Sequence, residues 1–229
     1  MQLTEFTTQM LKNYSGINSN MVIHSGNKIS TMSEARNILS SCTVDMTFEQ
    51  TIGLYDLNEF LGVVGLVDEP HLTFEEKMVN IGDSTGRSKI QYYLTDIDHL
   101  TSPDTAMIDK ANSMNDFEVK FTLDNETLNK IRRAASTLGH ETISITGSSG
   151  AIKLTVCDPE NKTSNTFSIE VAGEYESEEF NFLMNINNVK IVSGDYNVGV
   201  SSKLLSSFKH TESDIQYWIA LEKASTYGV

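Results

Sequence analysis

The chain has 229 residues, enough for one large domain or two of about 110 each. Lys and Arg total 17 against 31 Asp and Glu, giving a formal charge of −14, and the pI is near 4.7. That excludes a protein that grips nucleic acid with its whole surface, because phosphate binding scales with the cations presented, but leaves room for a small basic zone on an acidic body. In chain order, Leu3, Phe6, Met10 and Tyr14 recur at helical spacing and predict an amphipathic helix from Leu3 to Tyr14. Gly16 stops it, and Met21 to Gly26 reads as a strand ending in a turn.

The same order returns in the middle of the chain. Asp124 is a plausible N-cap, Glu126 sits near the positive helix end, and Leu128, Ile131, Ala135 and Leu138 share one face. Gly139 follows, then a strand at Thr142–Thr146 and a turn at Gly147–Gly150. The offset between the two helix–Gly–strand units is about 120 residues. A second pair, Leu54–Phe60 and Leu183–Val189, shares the pattern of two apolar residues, Asp or Asn, apolar, Asn, polar, apolar. These matches predict a duplicated domain, with halves at 1–108 and 109–229 joined near the turn-rich Thr101–Thr105. Strands are expected at Lys89–Leu94, Glu118–Leu123, Lys153–Cys157, Thr166–Ala172, Tyr196–Val200 and Gln216–Leu221. Few helices and many strands, without a βαβ rhythm, give an α+β fold with helices on one face of antiparallel sheets.

Nothing in the sequence asks for catalysis, a cofactor or a metal. Cys42 and Cys157 are far apart and belong to no CxxC or Cys/His cluster. Histidines 24, 71, 99, 140 and 210 are scattered, and Asp96-Ile97-Asp98-His99 lacks a third partner segment, so a solvated loop is expected there. Gly82–Ser88 resembles a phosphate-binding loop but is one residue short, with Arg87 where Lys is needed, and a strand follows it; a hairpin turn is expected. No GxSxG or serine triad can be drawn, and Glu174–Glu179 reads as an exposed acidic turn. Met1–Glu5 lacks the features of a signal peptide, and Ile52–Val67, the most apolar stretch, is broken by Asp56, Asn58 and Glu59. A soluble protein of a reducing, cytoplasmic compartment is expected, with no membrane association.

The informative feature is where the cations fall. With Ile131 set at zero on a helical wheel, Lys130 and Arg133 lie opposite the apolar stripe and Arg132 on its flank. Lys12 occupies the equivalent place on the first helix, opposite Leu3, Phe6 and Met10. Two equivalent basic helix faces in a chain of this charge suggest a basic surface set inside an acidic body; an ordinary solvated face is the alternative.

The chain resembles, nearly end to end, the ring-shaped DNA polymerase sliding clamps of T-even-type bacteriophages. The resemblance is densest at Leu11-Lys12-Asn13 with Ile17-Asn18-Ser19, and at Tyr55-Asp56-Leu57-Asn58 continuing through Phe60-Leu61-Gly62. It is also dense at Phe180-Asn181-Phe182, at Gly194-Asp195-Tyr196, and at Tyr217 with Ala220-Leu221-Glu222; it is thin through 28–43 and 69–115. It implies a homotrimer of two-domain subunits closed around duplex DNA, with helices lining the hole and sheets outside. It implies as partners a replicative DNA polymerase, an ATP-driven clamp loader and late transcription factors, in the cytoplasm of a bacterial host. Under that reading Lys12, Lys130, Arg132 and Arg133 face DNA, with Lys190 as a weaker fifth candidate.

Partner tails dock in this family in an apolar pocket near the seam between domains and the chain end. The last strand alternates, with Tyr217, Ile219 and Leu221 one way and Trp218 and Ala220 the other. Taking the first set as the core face leaves Trp218 outside, either as a partner contact or covered by Met107 or Ile108 of the linker. The competing reading is a small-ligand or nucleotide-binding protein on a duplicated α+β domain.

Overall fold

Thr4 opens the first helix of the computed structural model, which describes residues 1–148, 150–176 and 179–228. Its hydroxyl accepts from the Thr7 amide at 3.0 Å and donates to Asp45, so the helix start is tied to a strand 41 residues away. The chain divides into two units, Met1–Thr105 and Ala106–Val229, where the sequence reading puts the join after Ile108.

In the first unit α1 (Glu5–Ser15) is followed by β1 (Met21–Ile23), β2 (Gly26–Met32), β3 (Ile38–Phe48) and β4 (Ile52–Leu54). Then come α2 (Leu57–Val64), β5 (His71–Phe74), β6 (Met78–Gly82), β7 (Lys89–Tyr93) and a 3-10 turn at Ile97–His99. β1 pairs antiparallel with β4, β2 with β3, and β5–β6–β7 form a meander. Met10, Leu11 and Tyr14 of α1 are fully buried, and the Tyr14 hydroxyl meets Ser40 of β3 at 3.0 Å. Leu3 and Phe6 are only half-buried, because Leu3 precedes the helix and Thr7 takes the inward position instead. The phosphate-loop lookalike is the β6–β7 turn. Asp83 there accepts from the amides of Thr85, Arg87 and Ser88 at 2.9 to 3.2 Å.

α3 (Thr105–Asn112), a helix where the sequence predicts only a turn-rich link, starts on the last residue of the first unit and runs into the second. The second unit continues with β8 (Val119–Leu123), α4 (Asn125–Leu138), β9 (Thr142–Ser148), β10 (Ala151–Cys157), β11 (Phe167–Val171) and β12 (Gly173–Tyr175). β13 (Phe180–Asn185), a 3-10 turn at Ile186–Asn188, β14 (Tyr196–Ser201), β15 (Leu205–His210), β16 (Ile215–Ala220) and β17 (Thr226–Tyr227) complete it. Two antiparallel sheets result, β11–β10–β9–β13–β17 and β12–β8–β14–β15–β16. The core between them takes Ile145, Leu154 and Met184 from the first, Phe121 and Phe208 from the second, and Leu128 and Ile131 from α4. Ser149 of the expected turn and Ser177–Glu178 of the acidic run lie outside the described residues.

The duplication read from the sequence has a structural counterpart in each unit. β1 pairs with β4 as β9 pairs with β13, after α1 and α4 respectively. Asp56 caps α2 by accepting from the Glu59 amide at 3.0 Å, and Asn185, at the same place in the repeated pattern, caps the 3-10 turn by accepting from the Asn187 amide at 2.9 Å. Even the strand before α4 has an abbreviated partner. β8 pairs with β14, while Met1 and Leu72 exchange two backbone hydrogen bonds of 2.6 and 2.7 Å at the start of the chain.

Candidate nucleic-acid interface

α4 is an amphipathic helix with firm ends. Asp124 accepts from the Thr127 amide at 2.7 Å, and Gly139 closes the helix in the left-handed region at φ 69°, a conformation that costs glycine little. Thr127, Leu128, Ile131 and Ala135 face inward, so the opposite side carries Arg133, which is exposed, and Lys130, which is partly so. Lys130 is paired with Glu126 one turn back at 2.6 Å. Arg133 and Lys130 border a shallow trough of about 450 Å³ floored by Ala134, Leu138 and Phe167. The periodicity predicts Leu138 in the core; it is half-buried and lines the trough.

Lys12 is exposed in the last turn of α1, where a cation also offsets the partial negative charge of the helix end. Lys190 is exposed just past the 3-10 turn at Ile186–Asn188. Among the described residues Lys130 pairs with Glu126 and Lys203 with Asp116, and neither Lys12 nor Arg133 is in an ion pair. Lys12 and Arg133 therefore present charge that no carboxylate neutralises by direct contact there.

Arg132 departs from the expectation. It points along the flank of α4 into the unit, half-buried, and one guanidinium nitrogen donates to the carbonyls of Val189 and Ile191 at 3.0 and 2.9 Å. Burial lowers its pKa from the ordinary value, with Tyr196 and Tyr217 acting the other way. Two of its five N–H donors are thus spent on backbone, which ties this side chain into the fold where Arg133 stands clear of it. The signal was its flank position on the wheel, 100° from Ile131.

Trp218 is likewise corrected. It is 2% exposed, so it offers no surface to a partner, and its indole nitrogen has no hydrogen-bond partner among the described residues. β16 is buried on both faces, whereas alternation alone leads one to expect an open face. Met107 and Ile108 lie half-buried on α3. No group of three or more His, Cys, Asp or Glu able to hold a metal occurs among the described residues. No helix among them is long and apolar enough to cross a membrane.

Two units that repeat one helix-and-sheet plan, with cations on the exposed sides of their long helices, have the fold of the DNA clamps. The chain superposes on A. fulgidus PCNA, solved with the C-terminal region of FEN-1, with TM-score 0.69 and 14% identity over 97% of both chains. It superposes on a DNA polymerase III beta subunit of Eubacterium rectale with TM-score 0.68 and 14% identity, covering 97% of this chain and 65% of that longer one. In sequence it is 30% identical to the sliding clamp of Vibrio phage KVP40, over 97% of this chain and 99% of that protein. It is 27% identical to the sliding clamp of Enterobacteria phage T4, over 99% of both. Residues 120–223 match the family described as gp45 sliding clamp, C terminal. The chain belongs to the T4-type phage sliding-clamp family, a non-catalytic class of DNA-replication factor.

Proposed function

We propose that this chain is the processivity ring of a phage replication machinery: three copies close head to tail around duplex DNA and tether the replicative polymerase. An ATP-driven loader opens the ring, late transcription factors use it as a platform, and it works in the cytoplasm of the bacterial host. The observation that carries this reading is the exposed cation set Lys12, Lys130, Arg133 and Lys190 on a chain of charge −14. A ring holds DNA by topology, so a few cations directed at phosphates centre the duplex without sequence readout, and the acidic remainder repels it elsewhere. Identical subunits in a closed ring need a head-to-tail interface, for which two unlike ends of a duplicated chain are suited. Membership of the sliding-clamp family along the whole chain supports the assignment.

Light scattering tests the assembly. A solution mass near three times 25.5 kDa at micromolar concentration is expected, and a monomer at every concentration overturns the ring. Primer extension on a circular template, with polymerase and loader supplied, tests the function: long products should depend on this protein and on ATP.

A further inference from the structure

The segment Val189–Ile191 lies outside any helix or strand, so its backbone groups need partners elsewhere. It has them. Arg132 takes the carbonyls on either side of Lys190, at Val189 and Ile191. One residue further, the Val192 carbonyl accepts from the Tyr196 hydroxyl at 2.7 Å, and the Val192 amide donates to the Tyr217 hydroxyl at 3.3 Å. The side chains of Val189 and Ile191 are 5% and 4% exposed, while Lys190 between them is turned outward. The segment is thus fastened from below by side chains of α4, β14 and β16, with a cation at its crest.

We infer that Arg132 is a positioning residue for DNA: its two-carbonyl grip fixes the turn that presents Lys190, and links that turn rigidly to the α4 face carrying Arg133. The inference rests on the proposed DNA-encircling role. Two features favour it over a purely structural reading. An apolar side chain could fill the same space but would strand both carbonyls, so the site requires a donor long enough to reach the two of them at once. The acceptors bracket the exposed lysine itself, so loss of the grip frees that residue before any other. A lysine held in place reaches a phosphate without the ordering cost that a lysine on a loose loop must meet.

The test uses the intact protein carrying Arg132→Lys, which keeps the charge but ends one bond short of the nitrogen that reaches both carbonyls, alongside Lys190→Ala and the double variant. Amide hydrogen exchange reads the turn, and the salt dependence of binding to a short duplex reads the DNA contact. Arg132→Lys should raise exchange at Lys190, Ile191 and Val192 by at least about tenfold while leaving α4 protected. Lys190→Ala should flatten the slope of log affinity against log salt by about 0.9 for each phosphate it no longer neutralises, and Arg132→Lys should flatten it in the same direction. The double variant should bind no more weakly than Lys190→Ala alone. If Lys190→Ala weakens binding and Arg132→Lys does not, or if their effects add in full, Arg132 does not act through Lys190 and the inference falls alone. If Lys190→Ala leaves the slope unchanged while the turn loosens in Arg132→Lys, it is the DNA-facing reading of Lys190 that fails, and the inference falls with it.

Discussion

Gly199 of β14 lies directly beneath the ring of Phe117: a methyl group on residue 199 would sit 2.5 Å from the ring Cγ and 2.6 Å from Cδ2. Gly199 pairs with Lys120 of β8 and Ser207 of β15, so the ring covers the middle of the sheet. Space, not backbone conformation, demands glycine here. Gly199→Ala should cost about 1–3 kcal/mol, the usual penalty for overpacking. In a Phe117→Ala background the same substitution should cost less than about 0.5 kcal/mol, because the obstacle is gone. Urea unfolding of the four proteins of this cycle measures it, and an undiminished penalty without Phe117 would place the strain elsewhere.

The N-cap of α4 gives a prediction about pH. The Thr127 amide, and after it the Thr127 hydroxyl, hold the Asp124 carboxyl below its ordinary value, and Lys130 adds to the effect. A carboxylate whose folded pKa is depressed stabilises fully above its unfolded pKa of about 3.9, and that contribution is lost as pH falls through the lower folded value. Asp124→Ala should therefore cost about 1 kcal/mol at neutral pH. The gap between parent and variant should stay constant from about pH 8 to 5 and close only below about pH 4. Thermal unfolding across that range decides it; a gap that closed near neutral pH would point to a histidine instead.

Much of this fold was legible in the residues because its signals are local. Asp124, Leu128, Ile131, Ala135 and Gly139 mark α4 by cap, stripe and stop, and the structure has each in that role. The repeated Asp56 and Asn185 positions both became caps, although one begins an eight-residue helix and the other a single turn. What the sequence hid depends on what lies across space. The sequence groups Arg132 with Arg133 despite its flank position because a helical wheel does not show the carbonyls of Val189 and Ile191, nearly sixty residues on. Trp218 stands open there between a partner contact and a covered side chain because alternation tells only which side chains share a face, never whether the second face is covered too; the structure buries it. The half-buried Tyr92, packed edge-on against Phe60 with its hydroxyl on the Asp56 carbonyl, joins β7 to α2 in a way no spacing announces.

For Trp218 the burial makes mutation a matter of stability. A side chain 2% exposed leaves a large cavity when truncated, so Trp218→Ala should cost about 3–5 kcal/mol. The indole N–H has no hydrogen-bond partner among the described residues, and an unmet buried donor itself costs about 1–3 kcal/mol. Trp218→Phe removes that donor while keeping an aromatic ring, and should cost less than about 1.5 kcal/mol. Chemical unfolding of both variants measures the difference. Equal, small effects would mean that the residue is exposed after all.

The exposed cations make the last prediction, and the Lys130–Glu126 pair sharpens it. An i, i+4 ion pair on an exposed helix face contributes at most about 0.5 kcal/mol to folding, so its charges are free to serve another purpose. Glu126 nevertheless sets a negative charge 2.6 Å from Lys130, which weakens that cation's pull on phosphate. Glu126→Gln should therefore tighten binding to duplex DNA, and Lys130→Ala should loosen it, since the carboxylate is then left facing DNA alone. The double change should return affinity close to the parent. Arg133→Ala and Lys12→Ala should each weaken binding, and the salt slope should flatten by about 0.9 for every phosphate left without its cation. All these positions are exposed or partly so, and stability should stay within about 0.5 kcal/mol of the parent. Anisotropy titrations at several salt concentrations read the set. If Glu126→Gln weakens binding or leaves it unchanged, the exposed face of α4 does not meet the duplex, and the DNA path must be sought on another surface of the unit.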